Sequence, residues 1–272
     1  MHRSTRHSRS YLQTDRPGPR VGLQSSMREM ESVHTDRVAT EPAGRPRALA
    51  AEEGCYEATR AAALSGVPVS TVYYWAKTGV VLPSISPVRE KLWSYADLMG
   101  LRIVSWLRHP KSVDHGVVPA SPMREVRETL AFLDRLGMDL WNPDDNESGS
   151  LLVDRGGKIW VQTGEGLVLD HAGRSTLDLQ ADYLELLAPY STQGHVGPDL
   201  LRPRPRLRIV PLKVAGEPHV AGSRITSRTL AALRRRGFSS GEIADLYSLD
   251  KPSVEQALDL ERQLTATIPP AA

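Results

Sequence analysis

Residues 62–79, AALSGVPVSTVYYWAKTG, decide how this chain is read. A helix-compatible run reaches Gly66, which lets the backbone turn, and a second run starts after Pro68 and stops at Gly79. Thr59 is placed to cap the first helix, and Ser70 to cap a second that runs to Lys77. Two helices joined by so tight a turn form a helix-turn-helix, with the small Ala62 where the helices must cross. Adjacent helical residues point about 100° apart, so Tyr73, Tyr74 and Trp75 cannot all be buried. Tyr74 is open to two readings, a core position and an outward-facing one.

Working outward, Pro83 to Leu92 is a proline-bounded loop standing where a wing would be. Ser94 to Asp97 is a capping box, and it opens a helix with Leu98, Leu101, Val104 and Leu107 on one face. A further helix is expected from Ser121-Pro122 to Gly137, with Met123, Val126, Leu130 and Leu133 at helical spacing. Between Ser150 and Leu179 short apolar runs alternate with the turns DRGG, TGEG and HAGR, which predicts a four-stranded antiparallel meander. A short helix around Leu184 and Leu187 follows, then residues 194–211 read as a linker too rich in proline for a regular element. The last module is helical: Ser227 to Arg236 stopped by Gly237, a capping box from Ser239 to Glu242, and a third helix from Lys251 to about Leu264. The expected fold class is mixed α+β. Its parts are a tail at 1–54, a winged helix-turn-helix at 55–137, a β-meander at 138–200, a basic linker at 201–217 and a three-helix module at 218–268.

The tail, opening HRSTRHSRS, lacks apolar periodicity and is rich in Arg, Ser and Pro, so disorder is the expectation there. Met27 and Met30 stand as alternative starts. The small net charge of +2 conceals segregation: residues 55–110 carry +3, 111–200 carry −8, 202–236 carry +9 and 237–272 carry −4. The basic segments suit a polyanion, and the acidic middle suits a basic partner. A single cysteine, Cys55, forms no internal disulfide and no cysteine-based zinc site. No apolar h-region opens the chain and no apolar run is long enough to span a bilayer, so a cytoplasmic protein is expected. There is no glycine-rich phosphate loop, no HExxH and no framed carboxylate pair, so neither an enzyme nor a metal or other cofactor is expected.

The stretch 62–83, followed by WSYADLMGLRIVSWL at 93–107, resembles the DNA-binding domain of the MerR family. The resemblance implies a winged unit between about Tyr56 and Pro110 that lays its second helix in the major groove. Ser70, Thr71, Tyr73, Tyr74 and Lys77 would then lie nearest DNA, with Arg89 and Lys91 touching phosphate from the wing. Tyr73 stands where that family usually has arginine, and Trp75 takes a common tyrosine position. The stretch 217–264 is similar to domain of unknown function 433, found in VapB-type antitoxins. Gly222-Ser223-Arg224-Ile225, Gly237, Ser239, Glu242, Ile243, Tyr247, Val254, Ala257 and Leu258 carry the likeness. Arg224, the one cation in that frame, either pairs with an acid or serves a site. The acidic last helix argues for dimerisation or protein contact, and leaves the run Arg202, Arg204, Arg206, Arg208 with Arg234, Arg235 and Arg236 to meet nucleic acid.

Together the resemblances imply an antitoxin of a type II toxin-antitoxin system. It would neutralise a PIN-domain ribonuclease, repress its own operon by binding operator DNA, and form a homodimer. Trp160, Leu169 and Arg224 are the candidate partner contacts. The rival reading is a MerR-like regulator responding to a small ligand, against which the sequence lacks that family's long heptad helix.

Overall fold

A computed structural model describes residues 53–113, 116–136, 151–163, 167–176, 181–183, 188–192 and 194–266. Strand β1 (Tyr56–Glu57) pairs antiparallel with β2 (Leu92–Trp93), and Tyr56 and Trp93 stand opposite each other, both buried. This ribbon brackets helices α1 (Ala58–Ser65) and α2 (Val69–Thr78). Helix α1 starts directly from Glu57 without a side-chain cap, so Thr59 lies inside the first turn instead of capping it. Likewise α2 starts one residue after Pro68, whose fixed φ already supplies the extended backbone a cap needs, and Ser70 falls inside the helix. Both helices end as expected on left-handed glycines, Gly66 at φ 73° and Gly79 at φ 69°.

Helix α3 (Tyr95–Arg108) carries the expected capping box: Asp97 N donates to Ser94 Oγ at 3.2 Å, and Ser94 N donates to the Asp97 carboxylate at 2.7 Å. Hairpin β3 (Lys111–Val113) and β4 (Gly116–Val118) leads to α4 (Met123–Leu136), which buries Val126 and Leu133. The meander follows in the expected order: β5 (Leu151–Asp154), β6 (Ile159–Gln162), β7 (Val168–Leu169) and β8 (Ser175–Thr176). It has five strands rather than four, because β9 (Ala181–Tyr183) pairs with the free edge of β5, giving the order β8-β7-β6-β5-β9. Leu151, Val153, Ile159 and Val161 alternate into the core. The tail at 1–54, apart from Glu53 and Gly54, and the helix expected at Leu184 and Leu187 lie outside the described residues.

The expected linker is instead built into the fold. It contributes β11 (His195–Gly197), which pairs with β10 (Tyr190–Thr192) just before it, then β12 (Leu207–Arg208), which pairs with β13 (His219–Val220). The arginines explain the misreading. Leu207 and Ile209 alternate with Arg206 and Arg208, a strand period in which the leucine and isoleucine are buried while Arg206 is exposed and Arg208 half-buried. Pro203 and Pro205 precede the strand and interrupt no ladder. Helices α5 (Ser227–Arg235), α6 (Ser240–Tyr247) and α7 (Lys251–Ala266) complete the described residues, with the Ser239–Glu242 capping box formed.

The expected boundaries near 137, 200 and 217 do not separate independent modules. All described residues belong to one compact unit, and one apolar core runs from Tyr56 through Trp93, Leu101, Ile159 and Leu207 to Leu264. Two contacts lock the first helix pair into it. A Cβ on Gly66 would lie 2.6 Å from the backbone N of Gly197 and 2.8 Å from the carbonyl of Tyr190, so the α1–α2 turn sits directly on the β10–β11 hairpin. Arg102 on α3 is fully buried and donates to the carbonyls of Leu64 (2.9 Å), Ala188 (2.7 Å) and Pro198 (2.5 Å). Burial pulls its pKa down to about 10.

Candidate nucleic-acid interface

Helix α2 divides cleanly into two faces. Val72, Trp75 and Ala76 are buried, and at 4% exposure Trp75 anchors the helix to the core. Ser70, Tyr73, Tyr74 and Lys77, spaced i, i+3, i+4 and i+7, form the opposite face, with Tyr73 at 49% and Tyr74 at 59% exposure. The open question about Tyr74 thus resolves outward. Thr71 lies at the edge of this face, half-buried. The outer face carries one cation and no carboxylate, so a phosphate backbone meets no repulsion there, and two phenols offer apolar area with hydroxyl tips.

The loop after α2 folds back as a small wing. Ser86 and Leu92 exchange backbone hydrogen bonds of 3.1 and 3.0 Å, which extends the β1–β2 ribbon by a bridge. At its tip Val88, Arg89 and Glu90 are exposed, and Lys91 Nζ donates to the carbonyls of Pro87 and Val88, both at 3.3 Å. Arg89 is therefore the freer cation of the two. The base of the loop is held by Asp97, which accepts from both the amide and the hydroxyl of Ser84 at 2.9 Å.

The basic run is distributed differently from the expectation. Arg204 pairs with Asp259 and donates to Gln263, and Arg206 pairs with Asp250 at 2.6 Å. Asp259 of α7 and Asp250 just before it thus have partners from within the chain, and Arg204 and Arg206 would exchange these carboxylates to meet phosphate.

Of the candidate partner contacts, Trp160 and Leu169 do not share a face. Trp160 stands opposite Leu152 on the outer side of the sheet, while Leu169 stands opposite the buried Val161. Trp160 is half-buried, donates to Asp154 at 3.0 Å and lies under the Lys158 ammonium, 4.0 Å from its ring centre. Lys158 also reaches Asp170, which is fully buried; burial alone would raise its pKa, but Lys158 and Arg174 hold it far below the usual carboxylate range. Arg224 is exposed and has no ion pair among the described residues.

Sequence reading missed a buried charged group that spans the fold. Arg60, on the inner side of α1, is buried and donates to Glu217 at 2.6 Å and to both oxygens of Glu261 at 2.8 and 3.0 Å. Burial lowers the guanidinium pKa, but the two carboxylates outweigh it and the net direction is upward. Ser227 Oγ adds a 2.5 Å bond to Glu261. Arg60 thereby ties the first helix pair to the last helix. The available signal was an arginine four residues before Leu64 on an alanine-rich helix, a charge inside an apolar face.

The elements and this face describe a mixed α/β protein with paired helices and small antiparallel sheets. Its residues 208–259 match the model of a family described as Protein of unknown function (DUF433). No curated protein matches the chain. Among solved structures, the X-ray crystal structure of Rv2018 from Mycobacterium tuberculosis is similar over 75% of this chain and 96% of that one, at 16% identity and a TM-score of 0.41. Among the described residues, no helix is long and apolar enough to cross a membrane.

Proposed function

We propose that this protein is a DNA-binding antitoxin: it reads operator DNA with a MerR-like winged helix-turn-helix and neutralises a partner ribonuclease of the PIN-domain type. The observation that carries the DNA reading is the outward face of α2, where Ser70, Tyr73, Tyr74 and Lys77 project from a helix anchored by Val72, Trp75 and Ala76. Arg89 on the wing adds a phosphate contact beside it. The antitoxin half is supported by the resemblance of the C-terminal stretch to a module found in VapB-type antitoxins, and the family match over 208–259 falls on that stretch. The dimer that a two-fold operator asks for is part of this proposal.

The DNA reading is tested with the full chain and the DNA upstream of its own gene, by fluorescence anisotropy across a salt series. Lys77→Ala and Arg89→Ala should each flatten the slope of log affinity against log salt by about one unit. Salt slopes unchanged in both variants would remove α2 and the wing from the interface. The antitoxin reading is tested by co-purification with the product of the flanking gene and by rescue of cells expressing it. Failure of both with a folded full chain would leave a DNA-binding regulator only.

A further inference from the structure

Beside the Arg60 cluster lies a cleft of about 800 Å³ between α1, α5 and α7. Its lining includes Ala63, Ala231, Leu258 and Leu264, so much of its wall is apolar, while Arg228, Arg234 and Arg235 enter it from α5. Two acids line it as well, and both are engaged. Glu261 accepts from Arg60 and Ser227, and Glu255 pairs with Lys251 at 3.7 Å. Two of the three arginines that α5 contributes are not matched in this way. Among the described residues Arg235 has no ion pair and Arg234 donates only to the carbonyl of Phe238, whereas Arg228 forms loose ion pairs with Glu57 and Glu217 at 3.9 and 4.0 Å and remains 54% exposed.

We propose that this cleft binds a small phosphorylated ligand with an apolar or aromatic body, of the nucleotide class. Its phosphates lie on Arg228, Arg234 and Arg235, and its body lies on Ala63, Ala231 and Leu258. Guanidinium groups match phosphate oxygens two at a time, and Arg228 on the first turn of α5 with Arg234 and Arg235 on its last spans a chain of phosphates rather than a single carboxylate. The volume is that of a small-molecule site, and its concave form between three helices suits a compact ligand better than a duplex, which needs a convex surface to enter its groove. Because α1 forms one wall and also packs on α2, an occupant bears on the helix proposed to read DNA. That consequence alone rests on the proposed function.

The test is calorimetric titration of the full chain with ADP and, separately, with pyrophosphate at physiological salt, with no DNA present. ADP should bind with a dissociation constant below about 1 mM and more tightly than pyrophosphate, which lacks a body for the apolar wall. Arg235→Glu and Arg228→Glu should each weaken ADP binding at least about tenfold, while Arg155→Glu, an exposed reversal in the β5–β6 turn, leaves it unchanged. Absence of ADP binding up to about 5 mM overturns the proposal. So does binding of pyrophosphate without ADP, or an Arg155→Glu effect equal to that of Arg235→Glu, which would reveal diffuse charge attraction. Since no DNA enters the measurement, its failure and that of the DNA reading are separable.

Discussion

Two helix pairs in this molecule share a plan and differ in what their faces keep. In α1–α2 and in α6–α7 an eight-residue helix ends on a left-handed residue, a short turn follows, and a longer helix begins. The left-handed residue of the first pair is Gly66, pressed against the Gly197 backbone; that of the second is Ser248 at φ 51°, exposed to solvent. The longer helix of the first pair leaves its tyrosines and lysine uncovered. That of the second spends Asp259, Glu261 and Gln263 on Arg204 and Arg60. The shape alone therefore assigns no task; the uncovered face does.

The largest effects should come from the link between the pairs. Arg60→Leu leaves Glu261 without its cation and Glu217 with only the loose pair to Arg228, and should cost about 3–5 kcal/mol, read by urea denaturation. A loss below about 1 kcal/mol would mean that the two pairs are energetically independent. On α2, Trp75→Ala should cost about 3–5 kcal/mol through the cavity it leaves, whereas Tyr74→Ala should stay within about 0.5 kcal/mol. Equal losses would abolish the two-faced reading of that helix.

A pH series sharpens the contrast further. His219, beside β12 near the C-terminal pair, is buried, and that burial, aided by Lys213 and Arg208, lowers its pKa from the usual 6.5. The folded state thus prefers the neutral ring. Its contribution is present above about pH 6.5 and is lost as pH falls through the lower folded value. Melting temperature should fall from pH 7 toward 5.5, and His219→Gln should flatten that part of the profile; an unchanged profile would refute the assignment. The two left-handed turn residues should respond in opposite directions. Ser248→Gly should be neutral or stabilise by up to about 1 kcal/mol, since glycine relieves the left-handed strain, while Gly66→Ala should destabilise by about 2 kcal/mol or more.

What the sequence made legible was local. Gly66, Gly79, the Ser94–Asp97 box and the Ser239–Glu242 box are written within four residues of the backbone groups they satisfy, and the helices begin or end there. The outward face of α2 was half legible, because periodicity excludes three adjacent buried aromatics but does not choose among them. The long-range pairings were not legible. Nothing near Arg60 points to residues 217 and 261, and the alternation of Leu207 and Ile209 was hidden by the charges and prolines around it. For the same reason the modules looked separable: a linker was inferred where β12, the Tyr56 hydroxyl bond to the Gly216 carbonyl (2.8 Å) and the Arg60 cluster hold the chain together.

The Arg60 cluster also sets a schedule for synthesis. Its acidic partner Glu261 lies 201 residues downstream, which at about 5–20 residues per second puts the partner's arrival roughly 10–40 s after Arg60 is made. Until Glu217 supplies the first carboxylate the first helix pair holds a cation on a face meant for burial, and before residue 197 is made the β10–β11 hairpin that seats Gly66 is also still to come. A ribosome that stops before the last helix, or a protease that removes it, therefore releases a portion in which Arg60 keeps Glu217 but lacks Glu261. The length of the chain, rather than the folding of its first segment, determines when the α2 face becomes a rigid surface.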